Sequence, residues 1–312
     1  MLTIHELSKS YKQKKVLDNI SFIAEKGEIV GLVAPNGTGK TTLLNIIMNF
    51  VRPDSGYVAI ENNYDYSSQK NEIKMHQKVS FLPDMDDLYD ELSGVDHLKL
   101  YARIWKNNSG QVEEIVSSLN MDSYVNRAVK TYSLGMKQRL CFAMLLAADT
   151  EIMLMDEVMN GLDPDNVRLL TDKLNMLKQQ GKTILIASHL LENLELYADK
   201  VLFFKHGKII FQQREKTIKQ KDTLYIKAEV SIQDYNKLKK TKIFPERHQY
   251  IASNMLCIPI ASMNESEIGS WIAYFLKHKI YHVSVGEIGI SEWYQEFYDD
   301  KKAEDEENEK TD

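Results

Sequence analysis

The chain has 312 residues, 43% apolar and 27% charged, which is enough for a full core and too apolar for global disorder. Its net charge of −6 argues against nucleic acid as a general partner, and no apolar stretch approaches the ~18 residues that a membrane span needs. Cys141 and Cys257 lie far apart with no metal-ligand neighbour at short spacing, so they read as buried free thiols in a reducing compartment.

In chain order, residues 1–15 mix charge with apolar side chains and show no signal-peptide core, so a cytoplasmic protein is expected, with any membrane spans supplied by other chains. Residues 2–7 and 20–24 read as strands, with Lys26-Gly27 as a turn. The apolar run 29–33 reads as a buried strand. It leads into Ala34-Pro35-Asn36-Gly37-Thr38-Gly39-Lys40-Thr41-Thr42 and then an amphipathic helix over 41–50. Short strands are expected at 56–61 and at 79–82, the latter stopped by Pro83. From 84 to 148 the pattern is helical, with apolar spacings of three and four at 95–105 and 112–119. Residues 152–155 are a compact apolar run ending in Asp156-Glu157. A helix follows at 165–179 and stops at Gly181, then strands at 183–187 and 201–204, and a hairpin turn at His206-Gly207 into 208–211.

This alternation implies an α/β fold with a mainly parallel sheet covered on both faces and a helical insertion at about 84–148. A polar, basic link near 213–221 separates the first domain, 1–212, from a smaller α/β domain, 213–298. There the pattern gives strands at 223–229, 249–259 and 281–287 and helices at 231–239, 264–278 and 291–298. It carries no chemical motif, and either a packing or dimerising appendage or a ligand sensor fits it. Residues 299–312 hold eight acids and three lysines and are expected to be disordered.

Strand, glycine-rich turn, Lys-Thr and helix are the context of a phosphate-binding loop. Backbone N–H groups at the helix start, with the helix dipole, favour a phosphate's negative charge. Gly37 and Gly39 admit close approach, Lys40 is placed for terminal phosphates, and the Thr41 hydroxyl for Mg²⁺. Ala34 stands where the G-x-x-x-x-G-K-[ST] pattern has its first glycine, which is compatible with a negative φ there. Asp156 closes a buried strand, at the edge where open parallel sheets bind ligands, and Glu157 is then placed to polarise a water. His189 follows the 183–187 strand at the same edge. Ser133 is a natural N-cap for the helix 140–148, and with Gly135 it marks a helix start suited to an anion.

The order of phosphate loop, Ser-x-Gly, Asp-Glu, Leu-Asp-Pro and a late histidine resembles the nucleotide-binding subunit of an ATP-binding cassette transporter, over about residues 1–212. The resemblance implies a P-loop ATPase core that binds ATP and Mg²⁺ in a head-to-tail dimer, each ATP lying between the phosphate loop of one subunit and the signature of the other. It implies that Tyr11 stacks on adenine and that Asn36 to Thr42 hold the phosphates. Thr41 and Asp156 would hold the metal, and Ser133 and Gly135 form the signature. Glu157 and His189 would be catalytic. Asn160-Gly161-Leu162-Asp163 resembles the loop that crosses the dimer, and Asp84 aligns with a metal- or water-binding glutamine of the family. Leu134, Met136 and Val158-Met159 depart from its pattern.

Residues 81–84, 88–94, 132–140 and 290–297 are similar to exporters of the bacitracin-resistance and lantibiotic-immunity group. That implies a separate polytopic permease and export of a peptide, drug or lipid. A cytosolic cassette acting on ribosomes or nucleic acid is the rival reading. Against it stand the single cassette, the lack of sustained heptads and the negative charge.

Overall fold

Two long strands, β1 (Leu2–Tyr11) and β2 (Lys14–Ala24), open the computed structural model, which describes residues 1–61, 63–105, 111–214, 224–241, 244–245, 247–251 and 254–298. There follow β3 (Ile29–Val33), α1 (Lys40–Ile47), β4 (Ser55–Ile60), β5 (Tyr64–Asp65), α2 (Gln69–Lys78), β6 (Val79–Phe81), α3 (Gly94–Ile104), α4 (Val112–Ser118) and α5 (Leu134–Ala148). Then come β7 (Ile152–Asp156), α6 (Pro164–Gln179), β8 (Thr183–Ala187), α7 (Leu191–Leu194), β9 (Lys200–Lys205) and β10 (Lys208–Arg214). The chain divides into two compact units, Met1–Arg214 and Glu215–Asp312. The acidic tail at 299–312 and residues 215–221 of the expected link lie outside the described residues.

The first unit holds a six-stranded sheet in the order β10-β9-β3-β8-β7-β6. Every pairing from β9 to β6 is parallel, and β10 returns antiparallel through the His206-Gly207 turn. All five residues of β3 and of β8 are buried, as strands covered on both faces must be. The α/β expectation therefore holds, with one correction. The strands at 2–7, 20–24 and 56–61 leave the parallel sheet and form a separate antiparallel one, ordered β2-β1-β4-β5. Their interrupted burial marks them as covered on one face only.

Local chemistry fixes the helix starts. Ser93 and Asp96 form a capping box on α3, and Asp163 caps α6 with Pro164 in its first turn. Ser133 caps α5, whose side chains from Leu140 to Leu145 are all buried. The helix α2 was not expected. Met75 is its only buried residue, so no apolar stripe announces it.

The second unit has β11 (Tyr225–Glu229), α8 (Ile232–Lys239), β12 (Gln249–Ile251), β13 (Met255–Pro259), α9 (Glu265–Lys277), β14 (Val283–Gly286) and α10 (Ile290–Tyr298). Its antiparallel sheet runs β12-β13-β11-β14. Leu238 and Phe275 pack with Ile226, Ala228, Leu256 and Ile258 in one core, while Cys257, Ile251 and Ile288 form another with Trp293. The single strand expected at 249–259 is a hairpin, with Asn254 at φ 57° ahead of β13. Asn tolerates that left-handed conformation.

Lys200 is 1% exposed, and its Nζ donates to Ile23 O at 2.6 Å and Glu28 Oε2 at 2.8 Å, tying β9 to the end of β2. Lys200→Ala removes the counter-charge from Glu28, whose Oε2 keeps only the Glu25 N–H, and a donor from Ile23 O. It should lower the unfolding free energy of the first unit by about 3 kcal/mol in urea titrations. A loss below ~1 kcal/mol would show that the pair behaves as a surface ion pair.

Candidate active site

Four neighbouring parallel strands, β3, β8, β7 and β6, end at one edge of the sheet. The residues that follow them are Ala34 to Gly39, Ser188-His189, Glu157 and Leu82 to Asp84. Sequence-distant groups are thus gathered at the ligand-binding edge of an open α/β sheet.

The turn between β3 and α1 is shaped by two glycines. Gly37 has φ 75° and lies exposed at the tip with Asn36, and a Cβ there would meet nothing within 4 Å. Gly39 has φ 108°, and a Cβ would fall 2.9 Å from Val16 O and 3.0 Å from Leu17 Cδ2. Conformation alone demands glycine at 37, whereas conformation and close packing both demand it at 39. Ala34 is buried with a negative φ, so the missing first glycine is tolerated without strain.

Lys40 is buried, and its Nζ donates to Ala34 O at 2.6 Å and Pro35 O at 3.2 Å. Burial lowers its pKa, against the pull of Glu157 and Asp156. Thr38 Oγ1 also donates to Pro35 O, at 2.7 Å. Thr41 Oγ1 donates to Asp156 Oδ2 at 2.7 Å, joining the start of α1 to the end of β7. Thr42 is half-buried one residue later.

Asp156 is in register with Ala187 of β8. Its pKa is raised, chiefly by burial, then opposed by the Thr41 hydrogen bond, with the Glu157 and Asp84 charges adding to the rise. Glu157 has φ 55° and donates its N–H to Ala187 O at 2.9 Å. A non-glycine residue held in the left-handed region is strained, and such strain concentrates at functional positions. His189 Nδ1 lies 2.7 Å from Glu157 Oε2, without hydrogen-bond alignment.

Asp84 shares a cavity of about 270 Å³ with Thr41, Asp156 and Glu157. Its Oδ1 also accepts from Asp86 N at 3.1 Å, capping a short 3₁₀ turn over Met85–Asp87. Cys141 lines the same cavity, its thiol pushed up to about 12 by burial first and then by Asp84. Such a thiol is inert at neutral pH.

Tyr11, Ser133 and Gly135 do not line this cavity. Tyr11 ends β1, 46% exposed, with Lys9 Nζ 5.5 Å from its ring centre. Ser133 is exposed at the start of α5, its Oγ accepting from Met136 N at 3.4 Å. At Gly135 a Cβ would find only Asn166 Nδ2, 4.0 Å away.

Sequence reasoning placed Gln138 within the signature stretch, where Gln138-Arg139 agree with the family pattern, but gave it no role in the site; it lines the cavity and donates to Val158 O at 2.9 Å. The available signal was helical spacing: Gln138, Cys141, Phe142 and Leu145 share the buried face of α5.

The donor set suits Mg²⁺. Thr41 and Asp156 offer hard oxygens, and the neighbouring Glu157 and Asp84 leave the site with excess negative charge that a divalent cation would relieve. Among the described residues no group of three His, Cys, Asp or Glu is arranged to hold a metal by itself. The remaining positions would belong to phosphate oxygens and water, which is how Mg²⁺ is usually held.

A family profile described as ABC transporter matches residues 17–160. The uncharacterized ABC transporter ATP-binding protein YhcH of Bacillus subtilis is 31% identical over 233 residues, covering 73% of this chain and 75% of its own length. The lantibiotic transport ATP-binding protein SrtF of Streptococcus pyogenes is 32% identical over 213 residues, covering 68% and 90%. A solved ATP-binding subunit of an ABC transporter matches with a TM-score of 0.63 at 25% identity, over 69% of this chain and 90% of its own. The dimeric ABC transporter cassette MJ0796 matches with a TM-score of 0.64 at 21% identity, over 70% and 100%, a likeness of fold. The chain belongs to the ATP-binding subunits of ABC transporters, and it is an ATPase.

Proposed function

We propose that two copies of this chain close over two Mg·ATP and use their hydrolysis to drive export through a separate polytopic permease. The observation that carries this reading is the convergence of Lys40, Thr41, Asp156, Glu157 and His189 at one sheet edge. On binding, phosphate oxygens would replace the carbonyls of Ala34 and Pro35 as partners of Lys40, with the N–H groups of Asn36 to Thr42 around them. Thr41 and Asp156, with Asp84 beside them, would hold Mg²⁺, which would supply charge neutralisation to the transferring phosphoryl group. Glu157 orients and polarises the attacking water. His189, with Nδ1 turned to Glu157, keeps Nε2 for the phosphoryl oxygens. Tyr11 packs on adenine, and Ser133 and Gly135 of the opposite copy complete the phosphate site.

Permease docking is supported by an apolar groove of about 750 Å³ whose walls include Met48, Phe50, Ile73, Ile104 and Trp105. Phe50 is 65% exposed there, and contiguous exposed apolar surface of this kind marks an interaction site. No helix among the described residues is long and apolar enough to cross a membrane, so the spans would come from that partner. The chain would then sit on the cytoplasmic face of the membrane. Of the peptide, drug or lipid cargoes, a peptide is the one supported by the similarity to a lantibiotic transporter subunit. An accessory role for the second unit, as a packing or dimerising appendage, is supported by its own apolar cores.

Glu157→Gln should retain ATP binding, lower turnover by about 10²–10⁴-fold and accumulate as a dimer on ATP in size-exclusion chromatography. Near-normal hydrolysis would reject the role given to Glu157. Phe50→Asp should abolish copurification with the permease while leaving ATP affinity unchanged, and undiminished copurification would place the docking face elsewhere. Asp156→Asn should abolish Mg²⁺-dependent hydrolysis yet stabilise the nucleotide-free protein by about 1 kcal/mol, because it removes a carboxylate whose folded pKa is raised. That advantage should be full at neutral pH, and lost as the pH falls through the raised pKa and the native aspartate takes up its proton. Thermal melts between neutral and acidic pH check the sign.

A further inference from the structure

Glu157 begins the loop that ends at Asp163, the cap of α6. Its backbone is held in the left-handed region at φ 55°, so something beyond local preference must keep it there. On one side the N–H of Glu157 is anchored on Ala187 O. On the other, Gln138 Nε2 donates to Val158 O at 2.9 Å and makes a longer contact to Glu157 O at 3.5 Å. Gln138 is 5% exposed, and its Oε1 is buried without a hydrogen-bond partner. Leaving that oxygen unpaired is costly, so the amide is held in place for its nitrogen: two carbonyl oxygens can be served only by a donor.

The start of α5 also grips the rest of the loop. Gly161 lies against Leu134, where a Cβ would come within 3.2 Å of Leu134 Cδ2. Arg139 bonds to Asn166 Oδ1, and Asn166 in turn donates Nδ2 to Asp163 Oδ2 at 2.7 Å. Leu134, Gln138 and Arg139 therefore hold the middle, start and end of one loop.

We propose that Gln138 is a positioning residue for the Glu157 carboxylate. It makes the start of α5, Leu134 to Arg139, and the 157–163 loop a single rigid body, so that a displacement of the Ser133–Gly135 end of the helix is relayed to Glu157 of the same chain. The proposal rests on the assignment of Glu157 given above. Gln138 acts only through Glu157, so its loss shows in the rate and not in nucleotide affinity.

The test uses the full chain. Gln138→Met, similar in length and without a donor, should lower kcat on the order of 10²-fold, with ATP affinity by calorimetry changed less than about twofold and the thermal midpoint retained. Placed on Glu157→Gln, it should cost no further residual turnover, because a positioning residue has nothing left to position. A general packing defect would instead lower the midpoint and multiply the two losses, which overturns the proposal. If Gln138→Met is insoluble, Gln138→Leu, also without a donor, carries the same expectations. Normal kcat in a folded Gln138 variant beside an inactive Glu157→Gln overturns this proposal alone. Normal kcat in Glu157→Gln overturns the Glu157 assignment itself.

Discussion

The parallel register of β7 on β8 pairs Asp156 with Ala187 and lets Ala187 O take the N–H of Glu157. That one shared position sets the geometry of the site. It fixes the height at which the β7 carboxylates emerge, and two residues beyond it His189 arrives against Glu157. With β3 on the other flank of β8, the phosphate loop comes within reach, and the Thr41–Asp156 hydrogen bond closes the connection. Shifting the pairing of β7 by one residue would send Asp156 to the opposite face of the sheet. The fully buried strands are therefore more than core: their apolar packing specifies the register on which the chemistry stands.

At this edge the protein holds groups in states they would not choose in isolation. Lys40 is buried against backbone carbonyls, Asp156 is half-buried beside two further carboxylates, and Glu157 is twisted into a conformation suited to glycine. Each is unfavourable alone. A polyanion opposite Lys40 and a cation opposite the carboxylates, as proposed above, would relieve both charges. Differential affinity for ATP over its products is the free energy from which such a protein draws work.

The parts of this arrangement that were legible beforehand share one property: they are short, dense and local. Residues 29–33 and 184–187 are unbroken apolar runs, and the strands found there are Ile29–Val33 and Thr183–Ala187. The turn from Ala34 to Thr42 carries its chemistry in consecutive residues. What escaped depends on distant neighbours. In α2 the buried side is reduced to Met75, with Ile73 exposed in the groove, so periodicity had nothing to register. The strands near the N-terminus read correctly as strands, but which sheet they join is decided by partners far along the chain. Gln138 read only as part of the signature stretch at the start of an apolar helix. Its meaning lies in two carbonyls about twenty residues away, which no local pattern encodes. Asp84 was expected in the site, and it lines the cavity. Its second task, capping the turn that follows, became visible only with the backbone in place.

The contact between Gly39 and β2 has a consequence for how the protein can vary. A side chain at 39 meets two separate obstacles, the Val16 carbonyl and a φ of 108°. Remodelling β2 could open space for a methyl group, yet the backbone angle would still resist it. Genetic suppression of an alanine at that position therefore has no single-step route through the neighbouring strand, and restoration of function should come almost wholly from true revertants. Gly37, with open space around it, faces only the angular constraint, and there asparagine offers a passable detour.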